Sequence, residues 1–120
     1  MTHSSINIQI ANIIGNLYAV EAEEGQKVYE LIKKAIEENR KVVLSFLNIE
    51  MMTTAFLNTA IGQLYKDFSE EKVKEYLSVE HISDSGIAIL KRVVDTAKLY
   101  YKDPDTFNRM QRSISEILNQ

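Results

Sequence analysis

Apolar positions change their period several times along the chain, and each change marks an element. Ser5 to Ile10 alternates Ile6, Ile8 and Ile10 with Asn7 and Gln9, the period-2 pattern of a half-buried strand rich in β-branched residues. Asn12 to Gly15 reads as a turn. Leu17 to Val20 fits either a second short strand or an apolar lead-in to the next element. From Glu21 to Asn39 the period is helical, with Val28, Leu31, Ile32, Ala35 and Ile36 on one stripe. Acids at Glu21, Glu23 and Glu24 suit the positive end of that helix's dipole. Its opposite side, Lys27, Glu30, Lys34 and Glu38, reads as a solvated exterior.

Asn39-Arg40-Lys41 then leads directly into Val42-Val43-Leu44-Ser45-Phe46-Leu47. A continuous run of this length and composition predicts a strand buried on both faces, and the short join suits a parallel sheet. After a polar break at Asn48 to Glu50, helical spacing resumes from Thr53 to Phe68 through Phe56, Leu57, Ala60, Ile61, Leu64 and Tyr65. Ser69 with Glu70 and Glu71 predicts the capped start of a short helix to about Tyr76. Leu77 to Ile82 alternates again and predicts a third strand, nearer an edge because it is less apolar. Ser83-Asp84-Ser85 offers caps for a long helix with Ile87, Leu90, Val93, Val94, Ala97 and Tyr100 or Tyr101 facing inward. Asp103-Pro104-Asp105 predicts a stop and a restart. A final helix would carry Phe107, Met110, Ile114, Ile117 and Leu118 on one narrow stripe, for packing on the body or on a partner subunit. The order of elements predicts an α/β sandwich: a small mixed, mostly parallel sheet of three or four strands with helices packed on it.

Composition narrows the function classes more than it names one. At 120 residues and 45% apolar, the chain is expected to be a single domain over 1–120, with its core at about 5–102 and an additional C-terminal helix at 104–119. The net charge of −3, with acids and bases interleaved along the sequence, leaves no basic footprint for nucleic acid. No apolar run approaches the roughly 20 residues of a membrane span. The N-terminus lacks the basic and apolar regions of a signal peptide. With no cysteine there is no disulfide or thiol chemistry, and a cytoplasmic location is the expectation.

Chemistry-bearing motifs are few. His3 and His81 are the two histidines, and no HExxH, GxGxxG or GxxxxGK[ST] pattern occurs. His81 beside Glu80 and Asp84 could form a relay, although a surface histidine at a strand end explains it as well. Ser45 and Thr54 lack a nearby histidine to act as base. No enzyme activity, metal or cofactor is expected. Two readings fit Thr53-Thr54: a helix cap, worth about 1 kcal/mol, or a phosphoacceptor whose modification adds about two negative charges. Met51-Met52 is either an adaptable apolar contact or core filler.

The run VVLSFLNIEMMTTAFLNTAIGQLY (residues 42–65) resembles the central motif of STAS-like domains of unknown function, and ILKRVVDTAKLYY (residues 89–101) resembles their C-terminal helix. With the helix containing Gly25, the likeness spans roughly residues 5 to 102. These domains are similar in turn to STAS domains, the anti-sigma-factor antagonists. There the strand ends in Asp-Ser-Ser-Gly-Leu, whose second Ser is phosphorylated by a partner kinase. That pattern falls on Met52-Thr53-Thr54-Ala55-Phe56, so the resemblance implies Thr54 as the acceptor. Met52 replaces the acid, Ala55 the Gly, and Ser45 stands where STAS domains often carry Asp.

The leading expectation is a non-enzymatic STAS-like regulatory module. It would bind a partner protein, which the resemblance implies to be a histidine-kinase-like ATPase, through Glu50, Met51, Met52, Thr53, Thr54 and Asn58. Two alternatives stay open. One is a small-ligand or nucleotide sensor at the same helix N-terminus. The other is a structural subunit of a multi-protein defence or mobile-element assembly, or a homo-oligomer, built through the last helix.

Overall fold

The computed structural model describes residues 5–102. The chain runs β1 (Ile6–Gln9), α1 (Ile10–Ile14), β2 (Tyr18–Ala19), α2 (Ala22–Glu37), β3 (Val42–Ser45) and β4 (Met51–Met52). It continues through α3 (Thr54–Leu57), a π-helical turn at Asn58–Gly62, α4 (Leu64–Asp67), α5 (Glu70–Tyr76), β5 (Leu77–Glu80) and α6 (Asp84–Lys102). β3 lies between β1 and β5, and β2 pairs with β4 in a separate two-stranded ladder. Every pairing is parallel. The expected α/β sandwich with a small, mostly parallel sheet is what the chain forms. The proposed helix at 104–119 and the Asp103-Pro104-Asp105 break lie outside the described residues.

Strand order moves in one direction across the sheet, from β1 to β3 to β5. Right-handed crossovers in one direction place their helices on one face. The register shows that face: Ile6, Val42 and Leu77 form one row, and Ile8, Leu44 and Val79 the next. The opposite rows are Asn7, Val43, Ser78 and Gln9, Ser45, Glu80. This corrects the expectation that Val42–Leu47 is buried on both faces. Val42 and Leu44 are buried, Val43 is half-buried between two polar neighbours, and Leu47 has left the strand and is exposed.

The apolar rows are covered by α2, the rod formed by α3, the π turn and α4, and α6. Ile32 and Ile36 of α2, with Phe56, Ile61 and Leu64 of the rod, join Leu44 and Phe46 in one fully buried cluster. Burying each such side chain contributes about 1.5–3 kcal/mol. The α2 stripe is turned relative to expectation. Gly25, Val28, Tyr29, Ile32, Ala35 and Ile36 face inward, and Leu31 is exposed. On α6, Gly86, Val93 and Ala97 are buried while Ile87 is exposed. Ile10 is buried as expected, but as the first residue of α1 rather than the last of β1. The expected turn at Asn12–Gly15 is mostly that short helix, ended by Gly15 at φ 76°.

Two contacts fix how the helices approach. A Cβ on Gly25 would fall 2.6 Å from the Phe56 carbonyl oxygen, so α2 and the rod approach backbone to backbone with no room for a side chain between them. At the other end of the rod the Tyr29 phenol donates to the Asp67 carboxylate, with Lys33 Nζ 4.0 Å from the same carboxylate. Burial, and the Asp67 charge beside it, hold the Tyr29 phenol protonated well above the usual tyrosine range.

Gly25→Ala is expected to lower stability by about 2 kcal/mol despite its better helix propensity, because the clash is with backbone. At Gly86 the clashes are with side chains, the Met52 terminus at 2.8 Å and Ile82 Cγ1 at 2.9 Å, rather than with backbone, so Gly86→Ala should cost less than Gly25→Ala, about 1 kcal/mol. Urea unfolding of the pair separates the two cases. The Tyr29 proton is bound more tightly in the folded chain than in the unfolded one. Its stabilisation is therefore complete below the usual tyrosine range and lost as pH rises through the folded value. A denaturation series at alkaline pH should fall less steeply in Tyr29→Phe than in the wild type.

Candidate functional site

Parallel strands deliver their connections to one end, and in open α/β sheets that carboxyl end is where sites are built. Here β3 finishes at Ser45, and the Phe46 N–H donates to the Glu80 carbonyl of β5 at 3.0 Å. The Ser45 hydroxyl is buried and accepts from the Leu47 N–H at 3.2 Å. It tightens a turn that passes through Asn48 at φ 66°, a left-handed conformation that Asn tolerates. β4 is then sewn to the segment before α2. Tyr18 pairs with Met51 and Ala19 with Met52, while Glu50 N–H donates to Leu17 O at 2.8 Å and Thr53 N–H to Ala19 O at 3.1 Å. Met51–Met52, read from the sequence as part of a loop, is a short strand held by its backbone.

Thr53 and Thr54 separate completely. Thr53 has extended dihedrals, φ −120° and ψ 160°. Its hydroxyl accepts from the Phe56 N–H at 3.1 Å and donates to the Val20 carbonyl at 2.7 Å. It is a cap with both hydrogen-bonding roles committed, so the structural reading holds for Thr53. Thr54, the first residue of α3, is exposed, as is Ala55. The methionines divide too. Met52 is half-buried against Gly86 at the start of α6, and Met51 is 56% exposed. Met52 thus takes the packing reading, and Met51 is left exposed.

Glu50 is exposed beside Met51. Asn58 is exposed one turn beyond Thr54 and lines a shallow cleft against α6 with Gly62, Thr96 and Ala97. The structure therefore gathers Glu50, Met51 and Thr54 on the turn, sets Thr53 and Met52 beneath it, and directs Asn58 toward α6. Sequence reasoning missed Leu17, Tyr18 and Leu47, which are exposed large apolar side chains of the same end of the sheet. The signal for Leu17 and Tyr18 was present: an apolar pair in a segment too short to fold alone, ahead of a helix with acids in its first turn.

His81 does not assemble a relay. It takes φ 56° where the chain leaves β5, and its ion pair with Glu80 is long, at 3.9 Å, with both side chains more than half exposed. Such a pair contributes little. Among the described residues no group of three His, Asp or Glu side chains is placed to hold a metal ion, and no helix is long and apolar enough to cross a membrane.

Charge is sorted by the fold in a way the sequence order hides. The segments that build this end fall within residues 5–26, 42–65 and 75–90, and none of these windows contains a Lys or Arg. Glu21, Glu23, Glu24, Glu50, Glu80 and Asp84 all lie where strands end or helices begin. The bases collect toward the other end, including Arg40 and Lys41 ahead of β3, Lys74 ahead of β5 and Lys102 at the end of α6.

The chain is thus a parallel sheet covered on one face, whose central strand runs into a turn and a helix start capped by Thr53. The chain belongs to the family described as STAS-like domain of unknown function (DUF4325), whose model matches residues 24–86. No curated protein and no solved structure matches the chain.

The two threonines should respond differently to truncation. Thr53→Ala removes the cap and leaves the Val20 carbonyl without its donor, for an expected loss of about 1–2 kcal/mol. Thr54→Ala is expected within about 0.5 kcal/mol of wild type. Equal losses in guanidinium unfolding would contradict this division of roles.

Proposed function

We propose that this STAS-like module is non-enzymatic and regulatory, and that it works by binding a partner protein through the turn at Glu50–Thr54. The observation that carries the reading is the exposed apolar group Leu17, Tyr18, Leu47 and Met51, held at the carboxyl end of the sheet around the exposed Thr54. Backbone pairing keeps this surface in shape without a partner, so little ordering cost is left for association. Clustered exposed side chains of this size mark an interaction site more often than chance surface.

Thr54 is the switch residue on this reading, and the resemblance to STAS domains makes a histidine-kinase-like ATPase the proposed partner. Its hydroxyl is free of the capping role that fixes Thr53, so it can be modified without unmaking the helix start. A phosphate there would set about two charges beside Met51, where an apolar contact must be desolvated. The nucleotide-sensor reading fares worse. An anion at this helix start would meet Glu21, Glu23 and Glu50 and no base, and the Phe56 amide is already taken by Thr53. The assembly reading depends on residues 104–119, outside the described part.

The test is a photo-crosslinking side chain placed at Met51 in the host, with Leu31 on α2 as the control position. Crosslinking is expected from Met51 and not from Leu31. With the crosslinked protein purified, Thr54→Glu should weaken binding by about tenfold or more, and Thr54→Ala by less than about twofold. Equal affinities for Thr54→Glu and wild type would remove the switch. Absence of a Met51-specific crosslink would remove the docking surface.

A further inference from the structure

The charge sorting bears on what this face can bind. Solvent-exposed carboxylates at Glu21, Glu23, Glu50, Glu80 and Asp84 surround an end of the sheet that also exposes Leu17, Tyr18, Leu47 and Met51. The chain contributes no Lys or Arg from any segment that builds it. Elsewhere two acids have lysine partners: Glu70 pairs with Lys98 at 2.9 Å, and Asp67 with Lys33 at 4.0 Å. At the carboxyl end the corresponding interaction among the described residues is the long contact of Glu80 with His81. The net charge of −3 understates the field there, because most of the bases among the described residues stand toward the opposite end, Lys27 one turn into α2 being the nearest along that helix.

We propose that the partner seated on this face presents an apolar centre rimmed by Lys and Arg, so that Met51 and Tyr18 supply the contact and Glu21, Glu23 and Glu50 the steering and register. This inference rests on the docking reading above and adds the chemistry of the partner. The division of labour follows from the physics of such rims. Exposed charges of one sign speed encounter with the opposite sign and reject like-charged surfaces, while a desolvated apolar centre holds the complex. It also constrains the switch. A phosphoryl group reaching Thr54 finds no Lys or Arg in the described segments that build this end, so on this proposal the partner brings the positive charge that accompanies it.

Two amphipathic helical peptides with the same leucine stripe, one rimmed with lysine and one with glutamate, serve as probes against the full chain. The lysine-rimmed peptide is expected to shift the backbone amide resonances of residues 17–24 and 50–54. It should bind about tenfold tighter than its glutamate twin, with the difference shrinking as salt rises from about 50 to about 300 mM. A Glu21→Lys, Glu23→Lys, Glu50→Lys triple variant should reverse the preference, and circular dichroism would show that it is folded. Equal affinity for the two peptides, or shifts confined to the Arg40 and Lys41 end, would overturn the proposal. A partner that crosslinks through Met51 but binds with no dependence on salt or on the triple substitution would overturn it too, while leaving the docking reading standing. A lysine preference at this face without a Met51 crosslink in the host would do the converse: it upholds the chemistry of the face and removes the regulatory docking.

Discussion

Parallel pairing on both sides of β3 is the constraint from which the rest of the molecule follows. Strands that run the same way must begin at one end and finish at the other, and every return must cross back over the sheet. With order β1-β3-β5 both returns fall on the face formed by Ile6, Ile8, Val42, Leu44, Leu77 and Val79. The helices are thereby committed to one layer, and at Gly25 the α2 backbone approaches the rod too closely for a Cβ. The same rule brings the starts of α2, α3 and α6 together at the carboxyl end. Helix starts favour acids, through the dipole and through capping. An acidic end is thus partly a by-product of topology. The absence of bases from the same segments is not, since nothing in capping forbids a lysine in the connecting turns.

What could be read from sequence divides along this constraint. Val42–Ser45, the Ser69 cap and the apolar set Phe56, Leu57, Ala60, Ile61 and Leu64 were readable because each is a local pattern that tertiary packing reinforces. Ile10 misled because its apolar character fits a strand's alternation and a helix's first turn equally well. Leu31 and Tyr29 lie on neighbouring sides of one stripe, and only the position of the rod decides which is covered. The Tyr29–Asp67 hydrogen bond spans 38 residues of sequence, a separation at which no local pattern speaks. The break of the long helix into α3, a π turn and α4 was invisible for a related reason. Its apolar spacing stays close to helical throughout, and the extra residue is accommodated where Gly62 meets Val93 and Ala97 of α6.

The candidate site was readable in place but not in composition. Strand, break and threonine pair located it, yet the assignment of cap to Thr53 and exposure to Thr54 required the Val20 carbonyl, contributed by a segment 33 residues away. β2 and β4 pair over only two residues each, a ladder too short for period-2 alternation to announce. That ladder is what brings Leu17 and Tyr18 beside the turn and turns an isolated methionine into part of a surface.

A rigid turn and a modifiable hydroxyl are opposite demands, and on the proposed reading adjacent threonines meet them separately. If one residue served both, adding a phosphate would remove the cap and loosen the helix start along with the contact. With Thr53 buried in two hydrogen bonds, the helix start survives whatever happens to the hydroxyl at Thr54. The departures from the Asp-Ser-Ser-Gly pattern fit this arrangement physically. Met52 spends its side chain on α6, against Gly86, where an Asp would be an acid with no base nearby. Ala55 extends α3 outward without the backbone freedom a Gly would add. The turn therefore carries an apolar side chain where the pattern carries an acid. On the proposed reading, charge selectivity at this end comes from the exposed acids around it rather than from a carboxylate within the motif.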